Sequence, residues 1–421
     1  MSNINVIGLG YVGLPTAVMF ASNGHNVRGV DSNLSVVTAI QRGTPDNNEP
    51  HLNELLQKVL QNGQFTVSTS ASTANVFVIA VPTPIGSNRK PKLDAVSEAC
   101  QTIAEHITKG DLVIVESTVA PGTIRNEITL TLEQSGLAAG NDFSLAYCPE
   151  RVLPGNVFKE IVENDRIIGG IDDKSTQQAV ALYRSFVTGE LYETDAETAE
   201  VAKLAENTYR DVNIALANSL ANLSETVGVD IWSVLEMANR HPRVNLHTPG
   251  AGVGGHCIPV DPWFLISADP ESSALIEASR EINDGQPGIV ARMAADAIHE
   301  VKDGRVAILG AAYKPNVTDA RESPTTKLIA RLIEHDLSVA VSDPYVTNFI
   351  PKIVSLDAAL CEADIVILVV GHSEYSHLEP GRFAKLMRGR VILDITTTLN
   401  RAVWEKSGFT FLRYGDGQSK R

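Results

Sequence analysis

Ile4-Asn5-Val6-Ile7-Gly8-Leu9-Gly10-Tyr11-Val12-Gly13 opens with a short apolar run and ends on three glycines at GxGxxG spacing. An apolar helical pattern follows from Leu14 to Ser22, and Gly24 stands where a left-handed C′ residue closes a helix. A second apolar run, Val27-Arg28-Gly29-Val30, ends on Asp31. Strand, glycine turn, helix, strand and acid in that order describe a nucleotide-binding βαβ unit. The glycines permit the tight turn and the close approach of a pyrophosphate, which would rest on the free N–H groups and the dipole of the helix N-terminus. Asp31 falls at the distance from the glycines at which a carboxylate reaches the adenosine ribose hydroxyls. Its charge opposes a 2′-phosphate, so the expected cofactor is NAD rather than NADP.

Outward from this unit, apolar strands alternate with helical patterns through Val76–Val81, Leu112–Glu116, Leu145–Tyr147 and Arg166–Gly169. That alternation predicts a mostly parallel sheet covered by helices on both faces. Ligands of such sheets gather at the carboxyl ends of the strands. The loops there are Pro82-Thr83-Pro84, Ser117-Thr118-Val119-Ala120-Pro121-Gly122 and Cys148-Pro149-Glu150-Arg151. Taken singly each reads as turn punctuation, with Glu150 a cap or a partner for Arg151.

Thr194 and Glu197 stand at capping-box spacing before a helical pattern that runs to about Val227. Val201, Leu204, Ala205, Val212, Ala215, Leu216, Leu220 and Leu223 form its apolar stripe, which suits a helix buried along one side and shared between subunits. Lys203, Asn207 and Arg210 lie on an adjacent face. A Lys there is normally solvated; beside an Asn amide it also suits stabilisation of an anionic oxygen. After a further helix near Gln286 to Val301, the α/β pattern returns with strands at Arg305–Gly310, Val339–Ser342, Ile365–Val370 and Val391–Asp394 and a helix from Thr325 to His335. Its first turn, Gly310-Ala311-Ala312-Tyr313-Lys314-Pro315, lacks the glycine fingerprint. Another nucleotide-like ligand or a structural repeat is therefore expected there, with Lys314 and Arg321 supplying positive charge. The expected fold is α/β, two Rossmann-like doubly wound domains (1–193 and 301–421) joined by a central long-helix region (194–300). The tail Gln418-Ser419-Lys420-Arg421 is expected to be disordered.

Composition narrows the function classes. The 421 residues are 43% hydrophobic and carry a formal net charge of −15, which disfavours nucleic acid and anionic membranes as partners. A polyanionic small ligand in a local basic pocket remains compatible. No apolar run approaches the roughly 18 residues of a membrane span, and the first residues enter a strand directly, so a cytoplasmic protein is expected. Cys100, Cys148, Cys257 and Cys361 are widely spaced with no CxxC pair, which predicts reduced thiols and neither a metal site nor a disulfide framework.

Gly250-Ala251-Gly252-Val253-Gly254-Gly255-His256-Cys257-Ile258-Pro259-Val260-Asp261 places a thiol behind a glycine-rich turn, with a carboxylate four positions on. A nucleophile and a buried structural cysteine are both consistent with this stretch alone.

Over nearly its full length the chain resembles the nucleotide-sugar 6-dehydrogenases, relatives of UDP-glucose dehydrogenase. The resemblance is carried by Gly8–Pro15, Val81–Pro84, Glu116–Thr118, Pro149–Arg151, Lys203–Asn207, Gly254–Cys257 with Asp261, and Asp319–Pro324. Asn239–Asn245 with Val253–Cys257 looks most like the branch acting on UDP-N-acetyl-D-mannosamine. Glucose-specific members carry an aromatic residue where this chain has Val253 and a Lys where it has Val260, so UDP-glucose is the weaker alternative, beside UDP-N-acetylglucosamine.

The resemblance implies oxidation of a sugar C6 alcohol to a carboxylate by NAD in two hydride steps. It makes Cys257 the nucleophile that forms a thiohemiacetal and then a thioester, with Lys203 and Asn207 stabilising the oxyanion. Asp261, Glu150 and Thr118 would handle water and protons. Gly8, Gly10, Tyr11, Val12, Gly13, Asp31, Pro82, Thr83, Thr118 and Arg321 would contact the cofactor. Glu150, Arg151, Lys203, Asn207, Arg210, Arg243, Gly254 and Lys314 would contact the UDP-sugar, Arg243 across a homodimer. A two-electron hydroxyacid dehydrogenase would need neither Cys257 nor the second α/β unit, and a nucleotide-sugar sensor would not need the chemical groups.

Overall fold

The apolar runs become strands buried on both faces, as the computed structural model, which describes residues 1–47, 49–153 and 155–418, makes plain in β4 (Val76–Ile79). Val76 and Val78 enter one hydrophobic cluster and Phe77 and Ile79 the opposite one, because successive side chains of a strand point to opposite faces. Each large side chain so buried contributes about 1.5–3 kcal/mol. The chain divides into two compact units, Met1–Glu206 with Trp263–Pro270, and Asn207–Pro262 with Glu271–Arg421.

In unit one the strands are β1 (Asn3–Ile7), β2 (Asn26–Val30), β3 (Phe65–Ser68), β4, β5 (Leu112–Val115), β6 (Ser144–Tyr147), β7 (Arg166–Gly170) and β8 (Leu191–Asp195). Their order is β3-β2-β1-β4-β5-β6-β7-β8. Neighbours are parallel except β6 and β7, which pair antiparallel. This reversal sets the first residue of β7, Arg166, beside the carboxyl ends of β5 and β6. The helix Gly13–Ser22 ends on Asn23 and a left-handed Gly24 (φ +89°), as expected from the sequence.

In unit two β9 (Arg305–Leu309), β10 (Ser338–Ser342), β11 (Ile365–Leu368), β12 (Val391–Asp394) and β13 (Thr410–Arg413) form a wholly parallel sheet in the order β10-β9-β11-β12-β13. Val306 and Ile308 face one core, Ala307 and Leu309 the other.

Three local expectations are corrected. The long helix spans Ala196–Val227, but Thr194 lies within β8; the cap is Asp195, whose carboxylate accepts the Thr198 N–H at 2.7 Å and its hydroxyl at 2.8 Å. The apolar stripe of that helix divides. Leu204 and Ala215 are buried, whereas Leu216 and Leu223 are 45% and 56% exposed. The helix expected from Gln286 begins at Ala274 and runs through Pro287 to Ala297. Buried polar contacts hold it: Arg280 pairs with Asp211 at 2.6 Å, and the Asn283 amide donates to the Asp211 side chain at 2.8 Å. Residues 419–421 of the tail lie outside the described residues.

Candidate active site

The glycine turn of unit one has the shape a pyrophosphate needs. A Cβ on Gly13 would stand 1.9 Å from the Gly8 carbonyl oxygen, so only glycine lets the helix approach the strand this closely. At Gly10 nothing lies within 4 Å of a Cβ position, which leaves the backbone open to a ligand at the helix N-terminus. Asp31 follows β2; one of its oxygens accepts the Leu9 N–H at 2.9 Å and the other the Asn33 N–H at 2.9 Å. The carboxylate is thereby fixed against the turn. The Tyr11 hydroxyl donates to Glu49, a buried acid that also accepts the N–H groups of Gly155 at 2.6 Å and Val157 at 3.2 Å. Val12 precedes the helix.

Two loops at the carboxyl ends of the strands are tied together. The Ser117 hydroxyl donates to the Val81 carbonyl at 2.7 Å, which holds Thr118 after β5 alongside Pro82 and Thr83 after β4. Glu200 of the long helix accepts the N–H groups of Gly122 at 2.6 Å and Ile124 at 2.8 Å and anchors the far end of the Thr118 loop.

Beneath the third loop lies a charged cluster. Arg166 is buried, with its terminal nitrogen 3.8 Å from Glu116 and 3.7 Å from the Cys148 sulfur, and its guanidinium over the Tyr183 ring at 4.9 Å. Glu116 also accepts hydrogen bonds from Tyr183 at 2.6 Å and Thr16 at 3.2 Å. Burial raises the pKa of Glu150, opposed by the positive charges of Arg166 and Lys203 and by the Val152 N–H that Glu150 accepts at 2.6 Å. Arg151 pairs with Glu206 at 2.5 Å, not with Glu150. Lys203 is buried rather than solvated, 7% exposed.

In unit two the Asn207 amide donates to Asp261 Oδ2 at 2.6 Å, and both residues are buried. Asp261 begins the helix Asp261–Ala268, and its backbone N–H donates to the Cys257 carbonyl at 2.8 Å. The Cys257 loop lies against the turn after β9. Gly255 (φ +88°) has its Cβ position 3.2 Å from the Tyr313 ring, and its N–H donates to the Arg321 carbonyl at 3.1 Å. A Cβ on Gly254 would stand 2.9 Å from Tyr313 and 2.8 Å from Pro324. Arg321 is clamped on Asp319 at 2.6 Å. The His256 ring nitrogen Nδ1 lies 3.0 Å from the Cys257 sulfur. Lys314 stacks over Tyr313, 5.6 Å from the ring centroid, while Arg210 and Arg243 are exposed.

Of the residues singled out from the sequence, Gly8, Gly10, Tyr11, Val12, Gly13, Asp31, Pro82, Thr83, Thr118, Glu150, Arg151 and Lys203 belong to unit one, and Asn207, Arg210, Arg243, Gly254, Cys257, Asp261, Lys314 and Arg321 to unit two. Sequence reasoning passed over Arg166, Glu49 and His256. Arg166 carried a signal, since a charged residue opening the apolar strand Arg166-Ile167-Ile168 has to be paired once buried.

Comparison with known proteins shows the family. Residues 2–187 match the NAD binding domain of the UDP-glucose/GDP-mannose dehydrogenase family, residues 197–285 its central domain and residues 307–401 its UDP binding domain. A UDP-N-acetyl-D-mannosamine dehydrogenase of Methanocaldococcus jannaschii is 44% identical over 99% of this chain and 97% of its own. The chain belongs to the UDP-glucose/GDP-mannose dehydrogenase family. An NDP-N-acetyl-D-galactosaminuronic acid dehydrogenase of Ralstonia nicotianae is 41% identical over 95% of this chain and 96% of its own. The solved UDP-D-ManNAc dehydrogenase of Pyrococcus horikoshii superposes with a TM-score of 0.91 at 41% identity, covering 99% of both chains.

This member of the UDP-glucose/GDP-mannose dehydrogenase family is a NAD-dependent nucleotide-sugar dehydrogenase, as the resemblance implied. Asp31 and the open backbone at Gly10 fit the cofactor. Among the described residues no helix is long and apolar enough to cross a membrane.

Proposed function

We propose that the enzyme oxidises the C6 alcohol of UDP-N-acetyl-D-mannosamine to UDP-N-acetyl-D-mannosaminuronate, a four-electron reaction through covalent intermediates on Cys257. The observation that carries the covalent reading is a thiol on a glycine loop, four residues before a buried carboxylate held by Asn207. The near full-length relatives named for UDP-N-acetyl-D-mannosamine support the sugar. Two molecules of NAD, bound in turn, would each accept one hydride. Once C6 is an aldehyde, the Cys257 thiolate adds to it, and Lys203 with Asn207 stabilises the resulting oxyanion. Loss of the second hydride leaves a thioester, which water hydrolyses, with Asp261, Glu150 and Thr118 orienting that water and taking its protons.

In this reading Gly8, Gly10, Tyr11, Val12, Gly13, Asp31, Pro82, Thr83 and Arg321 serve the cofactor. Arg151, Arg210, Gly254 and Lys314 serve the UDP-sugar, within a division into parts 1–193, 194–300 and 301–421. The protein acts as a homodimer to which Arg243 contributes across the subunits. The exposed Tyr209, Leu216, Leu223 and Val227 of the long helix support such an interface.

Purified protein offered UDP-N-acetylmannosamine, UDP-N-acetylglucosamine, UDP-N-acetylgalactosamine and UDP-glucose with NAD tests the substrate and the electron count together. Two NADH per mannosamine nucleotide oxidised, with the other sugars slower, is the expected result. One NADH per sugar would favour a two-electron dehydrogenase.

A further inference from the structure

The charges around the catalytic thiol are arranged in matched pairs. His256 Nδ1 stands 3.0 Å from Cys257 Sγ. On the facing turn, Arg321 and Asp319 form a two-pronged ion pair, with contacts of 3.0 and 2.6 Å. The Arg321 carbonyl accepts the Gly255 N–H at 3.1 Å, which sets this pair's turn against the thiol loop. Arg321 is held charged first by its hydrogen bonds to Asp319 and further by negative charge on Cys257. Burial raises the pKa of Asp319, but the Arg321 hydrogen bonds and positive charge on His256 more than offset it, and the carboxyl titrates below its usual range. Tyr313, a further titratable group against the loop beside Lys314 and the buried Asp261, has its pKa raised by burial, by Asp319 and by Cys257, so it stays neutral beside the thiol. The Arg321–Asp319 pair thus sits on the turn that receives the Gly255 N–H of the thiol loop, and a cation and an anion there are suited to a thiolate beside an imidazolium.

We propose that His256 is the base that takes the Cys257 proton through Nδ1, with Asp319 and Arg321 as positioning residues that hold the resulting charge pair. The inference rests on Cys257 being the nucleophile. In the step, the Sγ–H bond breaks and an Nδ1–H bond forms, so the ring enters as the Nε2–H tautomer. The sulfur pair makes the Sγ–C6 bond to the aldehyde, and the carbonyl pair moves to oxygen. After C6 has lost its second hydride to the cofactor and water has added, the Sγ–C6 bond breaks with its pair returning to sulfur. The imidazolium then restores the thiol proton, and the protons of the water leave to solvent through the carboxylates assigned above.

Alkylation by iodoacetamide without cofactor or sugar, followed peptide by peptide across pH, reads the thiol directly. Cys361, which is exposed, serves as the internal standard, and Cys100 and Cys148 are buried. The wild-type Cys257 curve is expected to have its midpoint below the ordinary thiol range of about 8.5. In His256→Gln the midpoint should rise by about one pH unit or more, slowing alkylation at neutral pH by about tenfold. Turnover of the same variant should fall on the order of 100-fold with little change in KM for the UDP-sugar. An unchanged Cys257 curve in His256→Gln overturns the proposal. If Cys257→Ser keeps wild-type turnover, the nucleophile reading fails and this one with it; if Cys257→Ser is inactive while the His256→Gln curve is unmoved, only the role of His256 fails.

Discussion

Asn207 and Asp261 share a hydrogen bond of 2.6 Å in which the amide donates to the carboxylate, and they are 5% and 3% exposed. The bond fixes the rotamer of both, so neither side chain has to be ordered when a substrate arrives. Asn207→Asp keeps the shape and replaces donor by acceptor. Two carboxylates at this separation cannot both ionise cheaply, so the pair takes up a proton and one pKa rises. The variant should be slow at neutral pH and recover part of its rate as the pH falls. A turnover profile of wild-type shape would show that the amide is not needed as a donor.

Lys203 is buried on the same helix, one turn before Asn207. Lys203→Ala should lower turnover on the order of 100- to 1000-fold, as removal of one oxyanion donor does, with a smaller change in KM. Steady-state kinetics on both variants will separate this from a phosphate contact, which would raise KM and spare turnover.

Cofactor choice depends on Asp31, whose carboxylate is set against the glycine turn by the Leu9 N–H. The wild type should prefer NAD clearly. Asp31→Ser removes the charge that opposes a 2′-phosphate, and the ratio of kcat/KM for NAD over NADP should fall by at least about tenfold, a change of about 1.4 kcal/mol.

Cys257→Ser keeps size and hydrogen bonding but exchanges a good leaving group for a poor one. Steady-state turnover should be lost, and intact-protein mass spectrometry after incubation with NAD and the right UDP-sugar should find an ester adduct that hydrolyses slowly. Release of free UDP-sugar acid at the wild-type rate would refute the nucleophile.

Asp343 in unit two is the counterpart of Asp31, the acid after the second strand of its sheet, yet its oxygens are fully engaged. They accept the N–H groups of Ala311 at 2.6 Å, Ala312 at 3.1 Å, Tyr345 at 2.8 Å and Val346 at 2.9 Å, and His372 lies at 3.0 Å. Burial alone would raise its pKa, but His372 and the backbone donors outweigh it and hold the group at about 2 against an ordinary 3.8. The folded state therefore binds this proton later than the unfolded chain. Its stabilisation is full above 3.8 and is lost as the pH falls from there through about 2. Asp343→Ala should cost at least about 3 kcal/mol at neutral pH, with buried N–H groups left unpaired, and should flatten that part of the acid-unfolding curve. Circular dichroism against pH checks both.

The elements written most plainly in the sequence were those with local causes. The turn from Gly8 to Gly13 and the acid at Asp31 are read from spacing because the backbone itself imposes it. β8 was not legible, since Leu191–Asp195 is largely exposed and has no apolar run. Nor was the helix through Pro287, where contacts between Arg280, Asn283 and Asp211, 69 to 72 residues apart, outweigh the local break. Within the candidate site, Cys257 and Lys203 were singled out by motif, whereas the sequence marked Arg166 only as a charge needing a partner, and the antiparallel β7 supplies that partner by setting it beside Glu116.

The chain passes from one unit to the other three times, after Glu206, Pro262 and Pro270, and the short returning stretch carries Trp263, stacked under Arg89 at 4.7 Å, and the fully buried Phe264. A fragment cut after Glu206 would therefore lack part of its own interior and expose an apolar scar. Anyone wishing to express the cofactor-binding half by itself would do better to graft residues 263–270 back through a short linker than to truncate.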